Sequence, residues 1–268
     1  VLLFPMDDFL VSEAVAMSPD LMAKRIETLN ELSNYNDKYI VITNLMGYLR
    51  FLPSKTLWNS LKINLSKDSV FAKNELIDKI NKMGYKRENI VTKTGEYASR
   101  GYIIDIFPYG FDNPVRLEFF DDEIENIRFF DPLTQLSTEK INTVKIEPFT
   151  EFINEKGLDI SNRQSLLPRV VNKVSKLSEY ISNFNIMFIS LEDIKLAYNN
   201  ILKEITEFKE SDQYNITNYM HDLSDNIPEN YINIPLVDNY PDRSNCKIYH
   251  TSAVEQFNGN FEKINNYL

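Results

Sequence analysis

Cysteine is almost absent. Cys246 is the single one in 268 residues, so the chain cannot close an internal disulfide and offers no paired-cysteine site for structural zinc. That usage fits a reducing, cytoplasmic setting. Glycine is scarce too, and none of the seven glycines stands in the run, followed by Lys and Ser or Thr, with which backbone amides wrap a phosphate and hold magnesium. Positive charge is in short supply: 29 Lys plus Arg face 39 Asp plus Glu, a net of −10 and the wrong sign for a surface whose main partner is a phosphate backbone. The opening Val1-Leu2-Leu3-Phe4-Pro5 is too short and lacks the basic flank of a signal peptide, and no membrane span is expected. A chain that starts on a strand-like run without an initiator Met reads as a piece of a larger protein. The two histidines, His221 and His250, have no neighbouring Ser or Cys nucleophile in a recognisable arrangement and are expected as surface or packing residues.

With 43% hydrophobic and 25% charged residues, the chain is an ordinary globular protein long enough for one to three domains. Ser18-Pro19-Asp20 is an N-cap, a first-position proline and a first-turn acid, and Met22, Ile26 and Leu29 follow at helical spacing, predicting a helix over 19–33. Lys38 to Leu45 predicts a buried strand, and Met46 to Leu52 a helix stopped by Pro53. Residues 60–68 look irregular. Phe71, Leu76, Ile77, Ile80 and Met83 predict a second helix closed by Gly84. Extended runs then follow at 89–94, 102–107, 115–120 and 123–130, with a fifth at 142–147, separated by Gly95, Gly110 to Pro114 and Asp121-Asp122. They predict an antiparallel meander with one helix packed on it. Beyond Pro148, Asn185 to Ser190 is strand-like and a helical stripe from Ile194 to Phe208 follows. Residues 209–245 are expected to be mostly loop, with a strand at 247–252 and a terminal helix from Asn260. The economical reading is a discontinuous α/β domain, 1–60 plus 149–268, hosting an inserted α+β domain at 61–148.

Two places invite chemistry. Leu191-Glu192-Asp193 follows a strand where an α/β nucleotide hydrolase keeps its magnesium-binding acids, but no phosphate loop accompanies it, and a helix N-terminus that favours acids is the expected explanation. Asp105, Glu118, Asp121, Asp122, Glu123 and Glu125 crowd adjacent strands as in a two-carboxylate nuclease, yet no Lys stands beside Glu118. Alternation along 115–120 sends Val115, Leu117 and Phe119 inward and leaves Arg116, Glu118 and Phe120 outward, across a two-residue turn from Glu123, Glu125 and Ile127. Exposed arginine with a large aromatic is the composition of a protein-binding hot spot; the plainer alternative is that Arg116 merely pairs with Glu118 or Glu125.

The run GEYASRGYIIDIFPYGFDNPVRLEFFDDEIENIRFFDPLTQLS, residues 95–137, resembles the second domain shared by the UvrB excision-repair proteins and the transcription-repair coupling factors, the Mfd family. LFPMDDFLVSEAVAMSPDLMAKRIETLNEL is similar to the coupling factors and not to UvrB, whose corresponding stretch carries a tyrosine-rich DNA-clamping hairpin missing here, and EQFNGNFEKINNYL resembles the end of the coupling factors' N-terminal module. The resemblance implies the N-terminal UvrB-like module, domains 1a, 2 and 1b, with a degenerate nucleotide site and a second domain that recruits UvrA in transcription-coupled nucleotide excision repair. It places the UvrA contacts on Arg100, Arg116 and Phe120; Glu118, Glu125 and Ile127, which the strand alternation sets on the same face, are expected as accessory positions. Asp121-Asp122 replaces the Gly-Asp usual at this turn in UvrB-like proteins. No catalytic residue, cofactor or metal is expected in the fragment, and ATP and Mg are expected only for the parent, whose contacts to RNA polymerase and DNA lie in other domains. A cytoplasmic monomer is expected, and Arg116→Glu is expected to abolish UvrA binding without unfolding the chain. The rival readings are a piece of UvrB itself and a metal-dependent nuclease or nucleotide hydrolase.

Overall fold

The computed structural model describes residues 1–14, 18–34 and 38–235. β1 (Leu2–Phe4) leads into α1 (Phe9–Ala14) and α2 (Pro19–Asn34), the latter spanning the predicted helix and burying Ile26, Leu29 and Leu32. β2 (Val41–Thr43) runs parallel to β1. In α3 (Leu45–Leu49) the Asn44 side chain accepts the Gly47 amide at 2.9 Å, which satisfies one unpaired donor of the first turn. The helix stops earlier than predicted. Arg50 is already extended, and Leu52–Pro53 form a two-residue strand, β3.

α4 (Lys55–Leu61) and β4 (Ile63–Ser66) replace the irregular stretch expected at 60–68. Ile63 and Leu65 alternate inward from Asn64 and Ser66, a period-2 signal too short to weigh alone. α5 (Lys73–Lys82) ends as predicted, with Gly84 in the left-handed region at φ 90°. The meander comprises β5 (Lys86–Arg87), β6 (Glu96–Arg100), β7 (Ile103–Ile106), β8 (Val115–Phe120), β9 (Glu123–Phe130) and β10 (Ser137–Ile141), in the order β10-β9-β8-β7-β6-β5. Every pairing is antiparallel except that of β5 with β6.

No strand forms at 89–94. The Glu96 carboxylate accepts the amides of Thr92 and Lys93 at 2.8 and 2.9 Å, diverting donors that a ladder would need. β10 was hidden in the sequence because Ser137 to Lys140 are all exposed and carry no hydrophobic pattern. The run at 142–147 is a strand, β11 (Thr143–Ile146), but it pairs antiparallel with β4 instead of extending the meander.

Then come α6 (Leu167–Val170), β12 (Val174–Ser175), which pairs with β3, β13 (Met187–Ile189) and α7 (Leu191–Lys209). From 210 to 235 the chain carries only a short 3-10 turn and β14 (Ile232–Ile234), parallel to β13. The strand expected at 247–252, the helix expected from Asn260, Cys246 and His250 lie outside the described residues. The architecture is mixed α/β, with several sheets and helices.

One apolar core runs through α2 (Ile26, Leu29), α4 (Trp58), α5 (Leu76, Ile80) and the inner face of the meander (Tyr97, Ile104, Leu117, Phe119, Ile124, Ile127). A second joins α1, α3, α6 and α7 to Tyr219 and Leu223. Buried charge ties distant segments together: Arg25, fully buried, donates from Nε and Nη2 to the two Glu151 oxygens at 2.5 Å each, and Glu13 receives Arg50, Arg163 and Ser165. Such pairs are costly to break singly, because the remaining charge stays buried without its counter-ion.

Candidate functional site

The second face of the meander carries the chemistry. Antiparallel register sets Ala98, Asp105, Arg116 and Arg128 side by side on β6, β7, β8 and β9, with Arg100, Ile103, Glu118 and Asn126 in the next row. Ile104 and Ile106 point into the core, so Asp105 between them must point to the other face. There its carboxylate is fully buried beneath two guanidinium groups.

Arg116 donates from Nε to Asp105 Oδ1 at 2.7 Å and from Nη2 to Oδ2 at 3.0 Å, and from Nη1 to the Gln135 carbonyl at 3.4 Å. Its guanidinium carbon lies 4.7 Å from the centre of the Phe130 ring. Hydrogen bonding to Asp105 holds the Arg116 pKa above its usual value. Arg100 reaches the same carboxylate from the neighbouring strand, donating from Nη2 to Oδ2, and remains 51% exposed against 16% for Arg116. Arg128 closes the patch by pairing with Glu118. Three arginines thus meet two carboxylates, an excess of positive charge on a chain of net −10.

A small roof covers part of this face. Val91, Ala98, Phe107 and Phe130 form a separate buried cluster, and Gln135 Nε2 donates to the Val91 carbonyl at 3.1 Å. The turn that carries Gln135 is set by Asp131, whose carboxylate accepts the amides of Thr134 and Leu133 at 2.7 and 2.9 Å. Those contacts, Thr134 first, hold the Asp131 carboxyl below its usual range.

At the open end of the sheet Phe120 is 67% exposed while Phe119 beside it is buried. The turn at Asp121-Asp122 is made by Asp121 at φ 52°, a left-handed conformation that aspartate tolerates better than most residues, so the pair of acids substitutes for glycine there. Residues 68–73 clamp it. The Phe71 amide donates to the Asp122 carbonyl at 2.7 Å, and the Ile124 amide to the Ser69 carbonyl at 2.9 Å. Tyr102, 66% exposed, sits in the adjoining β6–β7 turn, its carbonyl accepting the Phe119 amide at 2.8 Å.

Of the residues singled out by sequence, Arg100, Arg116, Glu118 and Phe120 come together on this face, and Glu125 is exposed nearby. Ile127 does not belong with them. It is 1% exposed in the core, because the register shifts between Glu118 and Phe119: Glu118 faces Asn126 while Phe119 faces Ile124, leaving Glu125 as the extra residue of a bulge. One unpaired residue reverses the alternation, so Ile124 and Ile127 both turn inward. Arg116 pairs with Asp105, not with Glu118 or Glu125. Sequence reading missed Asp105 as the partner, together with Arg128, Gln135 and Tyr102; the Ile104/Ile106 alternation was the available signal for Asp105.

The other candidate chemistry is occupied by local structure. Asp193 accepts Ser190 Oγ at 2.5 Å and Glu192 lies 3.5 Å from Lys195. His221 packs edge-on against Phe51 with Nε2 3.1 Å from the Ser175 carbonyl, and burial lowers its pKa. Among the described residues, no group of three His, Cys, Asp or Glu side chains is placed to hold a metal ion, and no helix is long and apolar enough to cross a membrane.

Residues 63–152, which contain this face, match the UvrB interaction domain family. The chain is 35% identical over 153 residues, 57% of its length, to the transcription-repair-coupling factor of Bacillus subtilis strain 168. It is 30% identical over 227 residues, 84% of its length, to that of Staphylococcus aureus strain USA300, and 37% identical over 150 residues, 56% of its length, to that of Staphylococcus haemolyticus. The matches span 13 to 18% of the relatives' own length. A UvrB interaction domain thus occupies residues 63–152, and over 227 of its 268 residues the chain is similar to transcription-repair-coupling factors, of which it spans less than a fifth.

Proposed function

We propose that this chain is a non-catalytic docking module that recruits UvrA to transcription-coupled nucleotide excision repair, using the outward face of β6 to β9. The observation that carries this reading is the conjunction of a preassembled arginine patch with an exposed phenylalanine inside the segment that matches the UvrB interaction domain. Arg100 and Arg116 supply charge-assisted hydrogen bonds to carboxylates of the partner and Phe120 fills an apolar pocket, a pairing found at energetic centres of protein interfaces. Glu118 and Glu125 border the contact.

In this reading 61–148 is an inserted domain within a discontinuous, UvrB-like α/β domain formed by 1–60 and 149–268. Support comes from the pairing of β3 with β12, the Arg25–Glu151 pair and the His221 amide bonded to the Leu49 carbonyl, all of which join segments on either side of the insertion. The module acts as a cytoplasmic monomer without a cofactor of its own, while ATP, Mg, RNA polymerase and DNA are engaged by other parts of the parent protein.

Calorimetric titration of the purified chain with UvrA tests the reading. Saturable binding that weakens as salt rises is expected, since the patch is charged and partly exposed. Absence of binding at low salt would overturn it.

A further inference from the structure

We propose that Asp105 is the positioning residue of this docking face, holding Arg100 in the orientation in which it meets an acidic side chain of the partner; the inference rests on the docking reading above. Asp105 is fully buried, so it cannot touch a partner itself. Both its oxygens are engaged: Oδ1 by Arg116 Nε, and Oδ2 by Nη2 of Arg116 and of Arg100.

The two arginines are held very differently. Arg116 also bonds the Gln135 carbonyl and lies over Phe130, so several independent contacts fix it. Arg100 is half exposed, extends from the last residue of β6 and, among the described residues, has one anchor, the Asp105 carboxylate. A long side chain tethered at one nitrogen keeps the rest of its donor fork facing solvent, preoriented for a carboxylate. Without that tether it must be ordered at the moment of binding. Arg116 completes the device by sharing Asp105 and fixing the carboxylate in the plane that Arg100 needs.

The test is a double-mutant cycle measured by titration with UvrA, using the full chain and Asp105→Asn, Arg100→Ala and the double variant. If Asp105 acts through Arg100, Asp105→Asn weakens binding about tenfold, the scale of one charge-assisted hydrogen bond, and has a clearly smaller effect once Arg100 is alanine, the remainder passing through Arg116. Equal losses in both backgrounds, or undiminished binding by Asp105→Asn, would overturn the proposal while leaving the docking reading standing. Failure of the unsubstituted chain to bind UvrA removes both. Because Asp105→Asn strains a buried pair, NMR of the unsubstituted chain gives a second measurement that needs no variant. Restricted rotation of the Arg100 guanidinium, seen as separate Nη resonances, is expected, and a freely rotating group would refute the tether.

Discussion

Arg116 lays its Nε and Nη2 against the two oxygens of Asp105, at 2.7 and 3.0 Å, across adjacent strands of the meander. This fork-to-fork pair joins a fully buried carboxylate to a cation that keeps only 16% of its side-chain surface. Arg116 therefore belongs as much to the fold as to the proposed docking face.

Arg116→Glu accordingly damages both. It sets a second carboxylate against Asp105, so thermal unfolding is expected to move down by the equivalent of about 2 kcal/mol, less than the roughly 3 to 5 kcal/mol for breaking a fully buried pair because Arg116 retains some solvent. A loss of that size lowers stability but leaves the chain folded. A melting temperature equal to that of the unsubstituted chain would show that Asp105 finds another counter-ion.

Phe120→Ala separates binding from folding. The ring is 67% exposed, so stability should stay within about 0.5 kcal/mol of the unsubstituted chain, as for a surface position. UvrA binding should weaken by about 2 kcal/mol, the size of a hot-spot truncation. A parallel pair of titration and denaturation curves checks both numbers.

Gly95→Ala tests the base of the sheet. Gly95 sits at φ 87° just before β6, its amide bonded to the Phe107 carbonyl at 2.9 Å, and a Cβ there would run into the Phe149 ring. The left-handed backbone alone costs a non-glycine residue about 1 kcal/mol, and the collision adds to it. Denaturant midpoints should fall by more than that first term; an unchanged midpoint would mean that Phe149 moves aside freely.

His221 makes stability sensitive to acid. Burial lowers its folded-state pKa below the ordinary 6.5, so the unfolded chain takes up a proton more readily. Stability is therefore full above about 6.5, the unfolded-state value, and declines as pH falls from there toward the lowered folded value. His221→Phe should flatten that decline in urea titrations run from pH ~7 to ~5, whereas identical slopes for the two chains would rule His221 out as a source.

Much of the site was legible from local pattern. The N-cap, proline and acid at 18–20 start α2, Gly84 closes α5, and the in-and-out alternation of 115–120 separates Val115, Leu117 and Phe119 from Arg116, Glu118 and Phe120. These signals act within a few residues of themselves, through capping, backbone dihedrals and period, so the amino-acid order determines them directly. Resemblance in the run 95–137 added Arg100, which alternation along 115–120 could not name, as an expected partner contact.

Tertiary structure decided the rest. Ile127 is core and not surface because a bulge at Glu125 shifts one strand against the next, and a bulge is a property of the pair, not of either strand. Asp105 became the partner of Arg116 because register sets β7 beside β8, placing a residue from outside the hairpin nearer than Glu118 or Glu125. β11 left the meander for β4, whose own pattern was too short to read. In each case the deciding energy is a contact between separate strands, which no single run of sequence carries. Local sequence therefore determined which residues could face outward, and only the folded sheet determined which of them are held, and by what.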